Sequence, residues 1–260
     1  MTGEPTIRIL PDAAATSRAA AEAIALALGE GVAARGRADW ATTGGSTPVG
    51  IYRALAAAPL RDLVPWERVH VWWGDDRFVA RDDPLSNVRP FEDDLQPHVP
   101  IRPEHVHTPR MGEALAAGLG PEAVAASYEL ALQGAGLPTT DDDFPILDIV
   151  LVGIGGDGHV LSVFPGSPLF DTPTWVSAVA APTHIEPHVH RVSLHPRVLQ
   201  AARLPMVVAH GAAKASILAQ VLGPERDVRR WPAQVARHQG ALWLLDREAA
   251  ASLPFDVAPE

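Results

Sequence analysis

Short apolar runs rich in β-branched and aromatic residues alternate with longer helical patterns along almost the whole chain, and this alternation limits the fold more than any other feature. Strands are expected at 7–10, 38–42, 69–73, 146–152, 175–180, 191–194, 204–209 and 241–245. Asp12 can cap an Ala-rich helix running to about residue 28, with Gly29 and Gly31 as its stop. A second helix opens at Pro48, which has no N–H to lose at the first helical position, and Ile51, Tyr52 and Leu55 give it an apolar side. Another helix is expected over 212–222. The run 146–152 has the continuous hydrophobicity of a strand buried on both faces. Alternating strands and helices predict an α/β fold, a mainly parallel sheet with helices on both faces. No stretch has linker composition, so one domain over 1–260 is expected, with an excursion at 79–110 and a surface connection at Asp141-Asp142-Asp143.

Composition narrows the class. A chain of 260 residues buries roughly three quarters of its unfolded surface, so a core needs neither disulfide nor metal. The absence of cysteine removes disulfide scaffolds, Cys-ligated zinc and thiol nucleophiles. With 31 acidic and 21 basic side chains the formal net charge is −10, and there is no basic run. Nucleic acid is therefore not an expected partner, because counterion release needs clustered Lys and Arg. The start, Met-Thr-Gly-Glu-Pro, has no basic segment followed by an apolar one, so no signal peptide is read. The apolar runs fall short of the ~20 residues that span a bilayer. A soluble, cytoplasmic protein with no membrane partner is expected. Of the 21 basic residues, 20 are arginine; the one lysine is Lys214.

In open parallel sheets, ligands bind beyond the carboxyl ends of the strands, and three loops leaving strands are rich in Gly and polar residues: 43–48, 74–87 and 153–167. The first reads Thr43-Gly44-Gly45-Ser46-Thr47-Pro48. Glycines that admit a ligand to the backbone, two hydroxyls and a helix N-terminus make a phosphate cradle; a plain Gly turn with a Ser/Thr cap is the alternative. The Gly-Lys-Ser/Thr ending of a nucleotide P-loop is missing. The third loop, Gly153-Ile154-Gly155-Gly156-Asp157-Gly158-His159, contains G-x-G-x-x-G. A dinucleotide site also needs a helix at the last glycine and an acidic residue about 20 positions on. Pro165 and Gly166 interrupt any such helix and the run 175–180 ends in alanine, so no dinucleotide site is expected. The same loop fixes Asp157 and His159 two residues apart, a pairing suited to a general base near neutral pH or to a structural hydrogen bond. The second loop concentrates charge at Asp75, Asp76 and Arg77, followed by Ser86-Asn87; a solvated, salt-bridged loop is its plain reading. His184, His188, His190 and His195 lack the spacing of a familiar metal set, and no metal site is expected.

Together, Thr-Gly-Gly-Ser-Thr-Pro, Trp-Trp-Gly-Asp-Asp-Arg-Phe-Val with Ser86-Asn87, and Gly-Ile-Gly-Gly-Asp-Gly-His-Val-Leu-Ser-Val-Phe-Pro-Gly resemble the 6-phosphogluconolactonases. Arg191-Val192-Ser193-Leu194 and Gly211-Ala212-Ala213-Lys214-Ala215 match two later family motifs, and the resemblance spans roughly residues 40–245. It implies hydrolysis of 6-phospho-D-glucono-1,5-lactone to 6-phosphogluconate, the second step of the oxidative pentose phosphate pathway. It also implies the Rossmann-like fold shared with glucosamine-6-phosphate deaminases, without a dinucleotide and with no metal or organic cofactor. Carried over by position, His159 matches the water-activating histidine, with Asp157 beside it. Asp75 and Arg77 match a loop that usually reads Asp-Glu-Arg. Thr43, Gly44, Gly45, Ser46 and Thr47 match the phosphate loop, Arg191 and Lys214 match basic residues that reach the same phosphate, and Asn87 and Gly155 join the substrate-binding set. Arg77 or backbone N–H groups near 155–158 are candidates for the oxyanion, and either Asp75 or Asp157 for the partner of His159. Asp76 replaces the usual glutamate, shortening that side chain by one methylene; Thr43 replaces a serine, and Val160-Leu161 replaces Thr-Ala.

Two other readings remain at this level. Deaminase relatives carry a glutamate five residues beyond the motif histidine, where this chain has Phe164. A non-catalytic sugar-phosphate sensor is expected to need a DNA-binding module ahead of the fold, and the first strand already begins near Ile7. Oligomeric state is expected to be monomer or weak homodimer.

Overall fold

The apolar runs assemble around a seven-stranded sheet in a computed structural model that describes residues 3–254. Among these residues the strands are β1 (Thr6–Leu10), β2 (Ala38–Thr42), β3 (Val69–Trp73), β4 (Asp75–Arg77), β5 (Val106–His107), β6 (Ile149–Val152), β7 (Val176–Val179), β8 (Arg191–Leu194), β9 (Leu204–Ala209) and β10 (Leu242–Asp246). The large sheet has the order β1-β10-β9-β6-β2-β3-β5, and every neighbouring pair is parallel.

Pleating sends successive side chains to opposite faces, and both faces are covered. On one, Trp40, Val71, Trp73, Ile149, Leu151 and Met206 pack with Ile24 and Leu28 of helix α1 (Ala13–Arg35) and Ile51, Tyr52 and Leu55 of helix α2 (Thr47–Leu55). On the other, Trp72, Val150, Val152, Val207 and Trp243 pack with Tyr128 and Leu132 of helix Pro121–Gly134, Leu199 of helix Pro196–Ala201, and Leu218 and Val221 of helix Ala215–Val221. Neither face of β6 meets water, which is why it reads Ile-Val-Leu-Val.

Some boundaries differ from expectation. Helix α1 passes Gly29 and Gly31 and ends at Gly36, whose left-handed backbone (φ 76°) returns its N–H to the Val32 carbonyl at 2.8 Å. Gly31 lies against Ala38 and Asp148, where a side chain has no room; the glycine lets helix and sheet approach. The strand itself begins at Ile149; Asp148 still donates its N–H to the Asp39 carbonyl at 2.9 Å, whereas Ile146 donates to the Pro138 carbonyl at 2.8 Å. The segment 212–222 opens as a 3₁₀ turn, Ala212–Lys214, before the helix Ala215–Val221, and the last strand lies one residue later than expected.

A larger difference concerns 175–180 and 191–194. These strands do not join the parallel sheet. With β4, which the sequence presents as a charged loop, they form a separate antiparallel sheet in the order β4-β8-β7. Only Gly74 separates β3 from β4, and its carbonyl accepts the Leu194 N–H at 2.8 Å. The small sheet thus continues from the carboxyl end of β3.

The chain order reverses between β6 and β2: β2 leads to β3 on one side, whereas β6 leads to β9 on the other. Their exit loops diverge, and the crevice left at such a switch point is where open α/β sheets bind ligands.

Asp148 ties α1 to the sheet. It is buried, accepts the Asp39 N–H at 2.8 Å, and is ion-paired with Arg35 and, at 3.4 Å, with Arg203. Asp148→Ala strands that N–H and is expected to lower the unfolding free energy by about 2 kcal/mol. Urea unfolding measures this, and a loss under about 0.5 kcal/mol, typical of surface substitutions, refutes the tie.

Candidate active site

The switch-point crevice is a pocket of about 200 Å³ walled by all three expected loops. Thr43, Gly44, Gly45, Ser46 and Thr47 come from the first, Asp75, Arg77 and Asn87 from the second, and Gly155 and His159 from the third, joined by Arg191 of β8. Asp157 and Lys214 are not among the lining residues; each stands behind one that is. Asp157 holds His159, and the Lys214 ammonium donates to the Ile154 carbonyl at 2.8 Å.

The first loop ends at the N-terminus of α2. Ser46 occupies the cap position but with helical backbone angles (φ −80°, ψ −22°), and its side chain makes no capping bond. The plain reading of a Ser cap is therefore not what the structure contains. Ser46 and Thr47 line the pocket instead, at the N-terminus of α2, an arrangement that suits an anion. Tyr52, one turn into α2, donates to the Thr43 carbonyl at 3.0 Å and so fixes where the loop leaves β2. Gly44 is needed by the neighbouring wall: a Cβ there would sit 2.5 Å from the Asn87 Cα.

That wall is the β4–β8 pair. The register sets Asp75 opposite Ser193, Asp76 opposite Val192, and Arg77 opposite Arg191. Directly opposed residues share a face, so Asp75, Arg77 and Arg191 reach the pocket while Asp76 turns away. Two guanidinium groups face to face across a strand pair repel each other. Burial pushes the Arg191 pKa down, and Arg77 pushes it further, against the pull of Asp75 and Asp157. Arg77 donates through Nη1 to the Leu85 carbonyl at 2.9 Å and Arg191 through Nη2 to the Pro187 carbonyl at 3.1 Å. Both Nε atoms are buried with no hydrogen-bond partner among the described residues. An anionic ligand would relieve the repulsion and satisfy such donors. Asp75 is engaged elsewhere, accepting from Ser162 Oγ at 2.6 Å and from Asn87 Nδ2 at 3.3 Å, and makes no hydrogen bond to His159.

His159 rests on Asp157, Nδ1 to Oδ1 at 2.6 Å. The other oxygen, Oδ2, meets Nε2 of His184 at 2.9 Å. Burial alone would raise the Asp157 pKa, but hydrogen bonds and charge from His159, with help from His184, hold it well below the usual carboxylate range. An ionised Asp157 accepts a hydrogen bond from Nδ1–H, which leaves Nε2 of His159 as the basic nitrogen. Gly155 makes this packing feasible, since a Cβ there would lie 2.0 Å from His159 Nδ1 and 2.7 Å from Asp157 Oδ1. Phe164 forms an apolar floor: its ring lies 4.7 Å from that of His159, 5.6 Å from that of His184 and 5.3 Å from the Arg191 guanidinium.

Ser162, His184 and the floor role of Phe164 escape the sequence reading. Ser162 sits inside the third motif, and its alternation with buried Leu161 and Val163 is the one hint of a polar inward contact. His184 carries no such signal, because it lies 27 positions beyond Asp157, past β7 and in the connection to β8. Two other histidines of its group go elsewhere: His188 Nδ1 contacts the Pro182 carbonyl at 2.7 Å, and His195 caps helix Pro196–Ala201 by accepting the Arg197 N–H at 3.0 Å. Among the described residues no group of three or more His, Asp or Glu is disposed to hold a metal.

Fold and site together define an α/β protein with a carboxylate-backed histidine in a pocket lined by Arg77 and Arg191 at a topological switch point. The chain belongs to the family of glucosamine-6-phosphate isomerases and 6-phosphogluconolactonases, whose model matches residues 11–244. It is 35% identical to a 6-phosphogluconolactonase of Streptomyces coelicolor, over 100% of this chain and 98% of that one. With a 6-phosphogluconolactonase of Mycobacterium tuberculosis it shares 34% identity, over 96% of this chain and 98% of that one. The solved 6-phosphogluconolactonase of Leishmania guyanensis superposes with a TM-score of 0.82 at 31% identity, covering 95% of this chain and 98% of its own. A monomeric glucosamine-6-phosphate deaminase shares the fold at a TM-score of 0.78 and 20% identity, over 95% of this chain and 99% of that one.

Gly155→Ala is expected to fold but to displace His159, lowering turnover in the assay described next by about 100-fold, the cost of an ångström-scale misplacement. Turnover within threefold of the parent would show that His159 does not depend on this contact.

Proposed function

We propose that this chain is a 6-phosphogluconolactonase, hydrolysing 6-phospho-D-glucono-1,5-lactone to 6-phospho-D-gluconate in the oxidative pentose phosphate pathway. The observation that carries this reading is His159, backed by ionised Asp157, in one pocket with Ser46, Thr47 and the Arg77–Arg191 pair. Relatives of that name match the chain over nearly its whole length.

The reaction needs one water deprotonated and aimed at C1, and stabilisation of the negative charge that develops on the carbonyl oxygen. Nε2 of His159 takes the proton as the water oxygen bonds to C1. Arg77, or backbone N–H groups of 155–158, stabilises the oxyanion. The tetrahedral intermediate collapses with cleavage of the C1–O5 bond, and His159 returns its proton to O5. The product is the open-chain acid, which ionises. The phosphate is held by the hydroxyls of Ser46 and Thr47, the first turn of α2 and Arg191. Lys214 adds positive potential from behind the Ile154 carbonyl; its burial lowers its pKa, opposed by the nearby Asp157. Phosphate binding fixes the ring against His159, and this positioning supplies much of the rate.

Phe164 favours hydrolysis over deamination. It stands where the deaminases are expected to carry a glutamate, and a buried phenyl ring has no proton to relay in sugar-ring opening. The net charge of −10 argues against a nucleic-acid partner. No helix of the described residues is long and apolar enough to cross a membrane. A cytoplasmic single-domain enzyme, monomeric or weakly dimeric, is the setting we infer.

The test generates the lactone with glucose-6-phosphate dehydrogenase, adds the protein, and follows 6-phosphogluconate formation against spontaneous hydrolysis. Acceleration is expected; none overturns the reading, as does ammonia release from glucosamine 6-phosphate above background. His159→Ala is expected to lower kcat by about 10²–10⁴-fold, the usual range for a general base. Lys214→Arg is expected to raise KM with kcat nearly unchanged, because a guanidinium does not reproduce a compact ammonium. An unchanged KM counts against a phosphate role for Lys214.

A further inference from the structure

Asp76 is a buried carboxylate that the hydrolysis described above does not use. It lies on β4 between two pocket residues but faces the other way, into a separate cavity of about 260 Å³. Its Oδ1 accepts two backbone hydrogen bonds, from the Arg77 N–H at 2.8 Å and the Asn87 N–H at 2.7 Å. These amides belong to residues that reach the pocket from opposite ends of the connection following β4. The Asn87 side chain in turn donates to the Asp75 carbonyl at 2.8 Å, and the Asn87 carbonyl accepts the Trp73 indole N–H at 3.0 Å. One carboxylate oxygen thereby closes a ring of bonds around the pocket wall.

Resting on the lactonase reading, we propose that Asp76 is a positioning residue for that reaction: from behind β4 it clamps the amides of Arg77 and Asn87 and so sets where the Arg77 guanidinium meets the developing oxyanion. It touches no reacting atom. The phosphate contacts lie on other elements, so loosening the clamp affects turnover and leaves substrate binding largely intact.

Its charge state gives a second handle. Burial lifts the Asp76 pKa to about 7, with Asp75 adding to the rise and the two amides and Arg77 opposing it. The titratable and charged groups that face it are Asp75 and Arg77 on its own strand, Tyr128 from helix Pro121–Gly134, and Arg81, Arg110 and Glu113 around the cavity. An ionised carboxylate accepts amide bonds more strongly than a protonated one, so the clamp tightens as pH rises through neutrality. Stability moves the opposite way. The carboxyl titrates near 3.8 in the unfolded chain and near 7 when folded, so its contribution is complete below about 4 and is lost as pH rises through about 7. Removing the charge should therefore raise stability at alkaline pH while lowering turnover, whereas a purely structural residue loses both together.

The experiment measures kcat, KM and urea unfolding for the parent, Asp76→Asn and Asp76→Ala between pH 6 and 8. At pH 8, Asp76→Asn is expected to lower kcat about tenfold, the scale of a sub-ångström misplacement, with KM within twofold and stability equal to or above the parent's. The parent-to-Asn ratio of kcat should shrink towards unity at pH 6; taking a ratio removes titrations common to both proteins. Asp76→Ala, lacking any acceptor, should fall below Asp76→Asn. If Asp76→Ala does not fold, the isosteric Asn variant decides the matter alone. A kcat ratio that is flat with pH, or a loss carried by KM, overturns the inference while leaving the lactonase reading standing. A parent with no lactonase activity overturns both.

Discussion

Arg77 and Arg191 face each other across β4 and β8, and the rest of the site is arranged to hold that unfavourable pair. Neither guanidinium escapes to solvent in the manner of a surface charge. Each is tied to a backbone carbonyl, each keeps one buried N–H without a partner among the described residues, and Phe164 and Asp75 close the space around Arg191. The small antiparallel sheet fixes their separation, and the switch point of the large sheet supplies the helix N-terminus beside them. A wall with stranded positive charge is a standing cost to the folded chain, and the family's phosphorylated ligands are what would offset it.

Much of this was legible locally. Thr43 to Pro48, and Asp157 with His159, carry their chemistry within a few residues, so the turn that ends a strand already places the groups. The apolar pattern of β6 announced a sheet buried on both faces for the same reason. What stayed hidden depends on distance. β4 reads Asp-Asp-Arg, a sequence that looks like solvent-exposed loop until Arg191, Val192 and Ser193 arrive from the other half of the chain to pair with it. Gly31 looks like a helix stop until Ala38 and Asp148 are seen against it. Whether Asp75 or Asp157 backs His159 could not be read from spacing, because both follow strands that end at the same crevice; the hydrogen bond to Asp157 and the commitment of Asp75 to Ser162 and Asn87 separate them.

The same scaffold serves more than one chemistry in this family, and the third loop shows how little has to change. Its turn, its histidine and its aspartate form a self-contained unit, closed by hydrogen bonds between Gly155 and His159 and between Gly158 and Gly155. Phe164 then determines what lies beneath the imidazole. An apolar floor leaves His159 in a single side-chain partnership with Asp157, which suits a simple base. An ionisable group there would extend the relay and suit reactions that move protons along a sugar.

The β4–β8 pairing also bears on how the molecule is made. Residues from opposite halves of the sequence must find each other before the arginine-bearing wall exists, so the pocket is a non-local product of folding and its assembly is entropically demanding. The like-charged contact opposes that assembly. Any anion that bound this wall would brace the small sheet, strengthening it by mass action in proportion to occupancy.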